Sequence, residues 1–205
     1  MWTEIEHRIV VGDLAAGAPL DEAGLATELG ADPTVVREAL TRLERDGFVC
    51  SDGADAFAVC ELDEAELREA YPIALLLEGM AVRSTDYDGT IIARLRARNA
   101  EMDNSAHDPS AAAHLDFAFH DELVAHCDNE QLLATLRPVQ EALQAPAART
   151  ADAPGRHAAD HDRVIEALAD GDNARAAERL RAHLAARLPA LLAAVTPASG
   201  GAASA

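Results

Sequence analysis

Residues 20–49 read LDEAGLATELGADPTVVREALTRLERDGFV, and two breaks inside them decide the fold. Gly30 follows Leu29, where the end of a helix favours a residue free to turn left-handed. Asp32-Pro33 then supplies an N-cap acceptor followed by proline at the first helical position. The stretch therefore predicts a short helix over 22–29, capped by Asp21, and a longer one that opens at Pro33 and runs to Gly47. On the longer helix Val36, Leu40 and Leu43 make one apolar stripe, with Val35 and Ala39 beside it.

Upstream, residues 3–11 carry Ile5, Ile9 and Val10 at helical spacing and stop at Gly12. Downstream, Phe48-Val49-Cys50 and Phe57-Ala58-Val59-Cys60 flank an Asp-Gly turn, the pattern of a two-stranded hairpin. Residues 1–62 thus predict three helices and a hairpin, a helix-turn-helix with a wing. Pattern alone suits a DNA-reading head and a plain interaction module equally.

From Asp63 the periodicity becomes long and helical. It predicts helices over 63–84 (broken or kinked at Pro72), 88–102, 109–126, 129–148, 155–169 and 173–194. Asp172 caps the last, and Pro189 kinks it. Short loops between such stretches imply an antiparallel bundle over 63–196, followed by a disordered tail, 197–205, of small and polar residues. With aromatics at 3% and Ala close to a quarter of the chain, the class is mostly α.

The chain has 36 acidic residues against 17 basic ones, every one Arg, for a net charge of −19 over 205 residues. That excludes a non-specific binder of nucleic acid or anionic membrane, which needs a basic surface. No stretch reaches the ~20 apolar residues of a membrane span. The start, MWTEIEHRIV, has acids where a signal peptide has its basic region, so a cytoplasmic protein is expected. Cys50, Cys60 and Cys127 are too few and scattered for a disulfide scaffold or thiolate metal site, and read as idle thiols.

The chemistry lies in the second part. In HLDFAFHDEL, Asp116 and His120 stand four residues apart, on one face of a helix. His161 lies in RHAADHDRVIEALADGD and His183 in ERLRAHLAARL. Three imidazoles and a carboxylate suit a divalent transition ion. With eight His in the chain, the spacing alone fits histidines satisfied in the core or exposed to water better than it fits a metal site. No nucleophile–base pair or phosphate-cradling Gly loop is present, so no reaction is implied.

The string ELG…VREALTRLERDGFV resembles the signature of GntR-type transcription regulators. Asp116-x-x-x-His120, a His 41 residues on, and another 22 later within A-x-x-x-L-x-x-H-L resemble the FCD effector domain of that family's FadR subfamily. Gly171-Asp172 and Asp128-Asn129-Glu130 also fit, and the resemblance covers residues 3–195. It implies a homodimer on a palindromic DNA operator, paired through apolar, Ala-rich faces among 63–102. Thr34 and Arg37 would then read the major groove, with Arg42 near a phosphate. Paired with Glu38 or Glu44, Arg37 would instead sit on a solvated face. The resemblance further implies that Asp116, His120, His161 and His183 ligate a divalent metal, zinc or nickel foremost. Asp160 would support a ligand, Asn129 would lie near an effector pocket, and His157 could substitute as ligand, while His107, His114 and His126 would be surface residues. The effector would be a small organic or sugar acid.

The chain departs from the family at several points. Pro33 and Ala23 stand where members carry Arg, the wing turn is Asp52-Gly53-Ala54-Asp55, and residues 1–62 hold 13 acids and four Arg, a net of −9. DNA binding is therefore expected to be weak, confined to a dimer at low salt, or lost. The family's Arg-x-x-Leu-Glu motif begins here with Ala74 and ends with Glu78, so either the effector is less acidic or another Arg, such as Arg137 or Arg149, serves. Two alternatives stand beside this reading. In one the ion itself is the signal, or is purely structural. In the other a metal-dependent hydrolase uses Asp160 or Asp162 as base. Compared with the family the first helix begins abruptly, which points to a start further upstream.

Overall fold

The computed structural model describes residues 1–51, 56–61, 64–105, 108–148 and 154–195. The wing turn 52–55, residues 62–63 at the expected domain boundary, His107, Arg149 and the tail 197–205 lie outside the described residues.

Helix α1 (Trp2–Val10), strand β1 (Pro19–Leu20), α2 (Glu22–Leu29), α3 (Pro33–Arg45), β2 (Val49–Ser51) and β3 (Phe57–Val59) form the N-terminal winged helix-turn-helix. The breaks read from the sequence act as expected. Asp21 accepts from the Ala23 amide at 3.1 Å, and Asp32 from the Thr34 amide at 2.8 Å. Gly30 closes α2 at φ +60°, in the left-handed region. Val36, Ala39, Leu40 and Leu43 turn inward onto Ile5, Ile9, Leu25 and Phe48. Val35 stays 44% exposed, because it lies about 100° round the helix from Val36.

The hairpin gains a third strand. β1 pairs antiparallel with β3, Leu20 opposite Phe57, giving the order β1-β3-β2. A two-residue edge strand leaves too short an alternation to be legible in sequence. The thiols also need correcting: Cys50 and Cys60 are joined by a disulfide across the root of the wing, and only Cys127 is a free, buried thiol among the described residues. Their pairing follows from the register, in which Cys50 faces Ala58 and so lies diagonally across from Cys60.

Six helices make the second part: α4 (Glu64–Ser84), α5 (Gly89–Asn104), α6 (Pro109–Val124), α7 (Glu130–Ala148), α8 (Pro154–Ala169) and α9 (Asn173–Val195). Each boundary falls within a few residues of its prediction. Both α4 and α9 continue through their internal prolines, Pro72 and Pro189. Packing closes a ring: α4 lies on α9, α9 on α8, α8 on α5, α5 on α6, α6 on α7 and α7 back on α4. Inside it Leu95, Phe119, Leu123, Val164, Ile165 and Leu180 are buried.

Head and bundle meet through α1, α6 and α7. Ala145 and Ala148 of α7 join the apolar core of the head. The buried Glu6 carboxylate accepts from Ser110 at 2.8 Å and contacts His114 at 2.6 Å. Trp2 meets the edge of the same imidazole at 5.4 Å and carries the Arg42 guanidinium 3.7 Å above its own ring. His114, expected at the surface, is thus part of this seam, because α6 turns it toward α1.

Candidate metal centre and DNA-reading face

Asp116 and His120 come from α6, His161 from α8 and His183 from α9. The ring of helices brings these side chains into one buried cluster, with one ligand atom from each within 4.8 Å of every other. His161 is fully buried.

Each imidazole is held from behind. His120 Nδ1 lies 2.8 Å from Glu78 Oε2, His161 Nδ1 3.2 Å from Asn99 Oδ1, and His183 Nδ1 3.4 Å from Asp160 Oδ2. Three acceptors fix the rings as Nδ1–H tautomers and leave the Nε2 lone pairs facing inward. All three Nε2 atoms, with Asp116 Oδ1, are buried without a hydrogen-bond partner. Inward lone pairs with no donor to meet are costly unless a cation fills the space between them. By donor type, burial and orientation, the cluster could hold a divalent metal ion.

Charge states agree with that chemistry at three of the four residues, Asp116, His161 and His183. Burial alone favours a protonated Asp116, but Arg187, His157 and the neighbouring imidazoles overrule it and hold the carboxyl well below its usual range. Arg187 Nη1 donates to Asp116 Oδ2 at 2.6 Å. Burial is the main cause that pushes His161 and His183 well below the ordinary imidazole value, so both are neutral. His120 goes the other way: burial opposes its charge, yet the Glu78 carboxylate raises it.

His157 packs on the same cluster, its Nδ1 3.4 Å from Asp116 and its ring edge-on to His183. Asp160 stands behind His183, as the resemblance implied. Asn99 and Arg187 are absent from the sequence reading, and Glu78 enters it only as the end of the Arg-x-x-Leu-Glu motif, with no part at the cluster. Arg187 follows His183 by four residues, so helical spacing could have found it, whereas nothing local marks Asn99. Asn129 lies apart from the cluster, capping α7 through the Leu132 amide at 3.0 Å. Arg137 is exposed, on an open surface groove beside Asp121 and Glu141. His126 is near the surface with Glu122 and Arg94, where it was expected. Asp162 accepts from Asn99 at 2.7 Å, and Asp160 is shared between Arg163 and His183, so both proposed bases hold other partners.

A cleft opens beside the cluster between α4, α6, α7 and α9. Asp116, His120, Glu78, Gln140 and Arg187 make one end, and Leu75, Phe117, Leu143, Ala147 and Leu191 the wall. Ala74 lines it too, and Arg187 brings a guanidinium to the same cleft from the opposite helix.

On the head, Thr34, Arg37 and Arg42 are exposed along α3. Arg37 is paired, though not with Glu38 or Glu44. It makes a fork with Glu22 of α2, Nε to Oε2 and Nη2 to Oε1, both 2.8 Å. Arg42 lies 3.6 Å from Asp46 as well as over Trp2. Arg8 and Arg45 likewise reach Glu28 and Asp46, so every Arg of the head touches a carboxylate.

Known proteins share both parts. Residues 2–59 match the bacterial regulatory proteins of the gntR family, and residues 69–186 match the FCD domain. The chain is 33% identical over 188 residues to a probable D-xylose utilization operon transcriptional repressor of Paenarthrobacter nicotinovorans, covering 89% of this chain and 83% of that one. It is 34% identical over 134 residues to the Nta operon transcriptional regulator of Aminobacter aminovorans, a stretch spanning 62% of each. Among solved structures, a putative GntR regulator from Rhodococcus sp. RHA1 superposes with a TM-score of 0.70 at 21% identity, over 94% of this chain and 95% of that one. E. coli McbR/YncC follows at 0.64 and 20%, over 93% and 94%. These relatives regulate transcription and are not enzymes, and no helix among the described residues is long and apolar enough to cross a membrane. The chain therefore belongs to the GntR family of DNA-binding transcription regulators, with the FadR-type pairing of a winged head and an FCD domain.

Proposed function

We propose that this regulator is a homodimer whose hold on a palindromic operator is set by a small organic or sugar acid bound at a divalent metal in the helical domain. Residues 1–62 are the DNA-binding domain and 63–196 the metal and effector domain. Asp116, His120, His161 and His183 hold the ion, zinc or nickel by donor type. The observation that carries this is the set of three buried imidazoles, each anchored through Nδ1, whose Nε2 atoms converge with Asp116. Once bound, the ion supplies positive charge and open coordination positions for an acid.

Thr34 and Arg37 are the groove-reading groups, and Arg42 the phosphate contact, with the α3 N-terminus adding its own attraction for phosphate. An apolar stripe of Ile73, Leu76 and Met80 along the exposed side of α4 supports pairing of two copies there. The test is fluorescence anisotropy on duplex DNA from the gene's own promoter, with and without a chelator, at two salt concentrations. Submicromolar binding that weakens with salt, with Arg37→Ala and on chelation is expected. No binding by a metal-loaded dimer would sink the reading.

A further inference from the structure

The cleft beside the candidate metal cluster has one charged end and a largely apolar wall. At that end the Arg187 guanidinium stands with the carboxylates of Glu78 and Asp116 and the imidazole of His120. The planar fork of Arg187 matches one carboxylate. A second or third carboxylate on the same molecule would lie against Glu78 and Asp116 or against the apolar wall, unpaired in a buried site. The wall offers hydroxyl groups little: beyond the charged end, Leu75, Phe117, Leu143, Ala147 and Leu191 face the space, with Gln144 as a polar neighbour and the Tyr71 hydroxyl donated to the Leu184 carbonyl. Ala74 presents a methyl group where a guanidinium would have added another charge and taken volume.

We propose that the effector is a monocarboxylic acid with an apolar body, its carboxylate at the Arg187 end of the cleft and its body along the Leu75, Phe117, Leu143 and Leu191 wall. The inference rests on the organic-acid reading above and narrows it, against sugar acids and polyacids. Arg187 is the specificity residue. Its planar fork serves Asp116 and a second carboxylate together.

Calorimetry on the full-length zinc-loaded protein tests this with acetate, butyrate, hexanoate, benzoate, citrate and gluconate. Affinity is expected to rise from acetate to hexanoate by about fourfold per methylene. Benzoate should be at least as tight as butyrate, and citrate and gluconate no tighter than acetate. Tighter binding of citrate or gluconate overturns the proposal while leaving an acid effector standing. If none of the six acids binds, the broader reading fails with it. Arg187→Gln should weaken hexanoate tenfold or more, with zinc content measured on the same sample because Arg187 also holds Asp116. Leu143→Asn, on the partly buried wall, should flatten the chain-length dependence without changing acetate. An undiminished dependence in that variant, or an unchanged hexanoate affinity in a zinc-loaded Arg187→Gln, overturns the assignment.

Discussion

Arg37, a proposed groove-reading residue of α3, has its fork already engaged by Glu22, so a base edge or phosphate could take it only by displacing a carboxylate. The pair is half-exposed, and such pairs contribute little to stability. Its larger effect is to screen the positive charge that DNA would meet. Glu22→Gln should therefore raise operator affinity about threefold to tenfold at fixed salt, as about one more phosphate charge is matched, while the melting temperature stays within a degree or two. Unchanged anisotropy curves would mean Arg37 does not face the duplex. Behind the candidate metal cluster, Asn99 bridges His161 and Asp162 from α5. Asn99→Ala leaves His161 in place but frees its ring to turn, and should lower zinc affinity by roughly 10- to 100-fold in competition with a chelating dye.

At the scale of the element, α4 works on both sides. Ala74, Glu78 and Ala81 face inward, while Ile73, Leu76 and Met80 face out, with Leu76 61% exposed. If the proposed dimer pairs through this face, Leu76→Glu should yield a monomer by light scattering at micromolar concentration and leave helix content unchanged, since the side chain is mostly exposed. The inner and outer faces of such helices were legible in sequence because capping and periodicity are local. Asp32-Pro33, Gly30 and Asp172 act on their own neighbours, and the six long helices fall where 3.6-residue spacing puts them. Asp116 and His120 share a face by the same rule. What stayed hidden was set by partners far along the chain. The β1 strand exists only because β3 accepts it, and the Cys50–Cys60 bond only because of hairpin register. The hydrogen bonds that the His120 and His161 imidazoles donate to Glu78 and Asn99 span 42 and 62 residues.

For the whole molecule, the buried histidines couple stability to pH. His161 and His183 have folded values pushed below the ordinary imidazole range, so the unfolded chain takes up protons there that the folded chain refuses. Their contribution is complete above about pH 6.5 and is lost as pH falls below it, at ~1.4 kcal/mol per pH unit for each proton. His120, raised by Glu78, works oppositely but only above that range, where the folded form holds the extra proton. The chelated protein should therefore melt at progressively lower temperature from pH 6.5 to 5, and zinc should raise the melting temperature at neutral pH but lose that advantage as the solution becomes acidic. A flat profile with chelator would show that the folded cluster admits protons freely.

Helix α6 ties these scales together. His114, which contacts Glu6 of the head, and Asp116, which faces the cluster, are two positions apart, and two positions are about 200° of helical turn. Opposite sides of a single rod are thus mortised into two different joints. A few degrees of roll that seated Asp116 and His120 more firmly on one side would carry His114 across Glu6 on the other. Were the bundle to tighten there, the shoulder of the head would feel the turn.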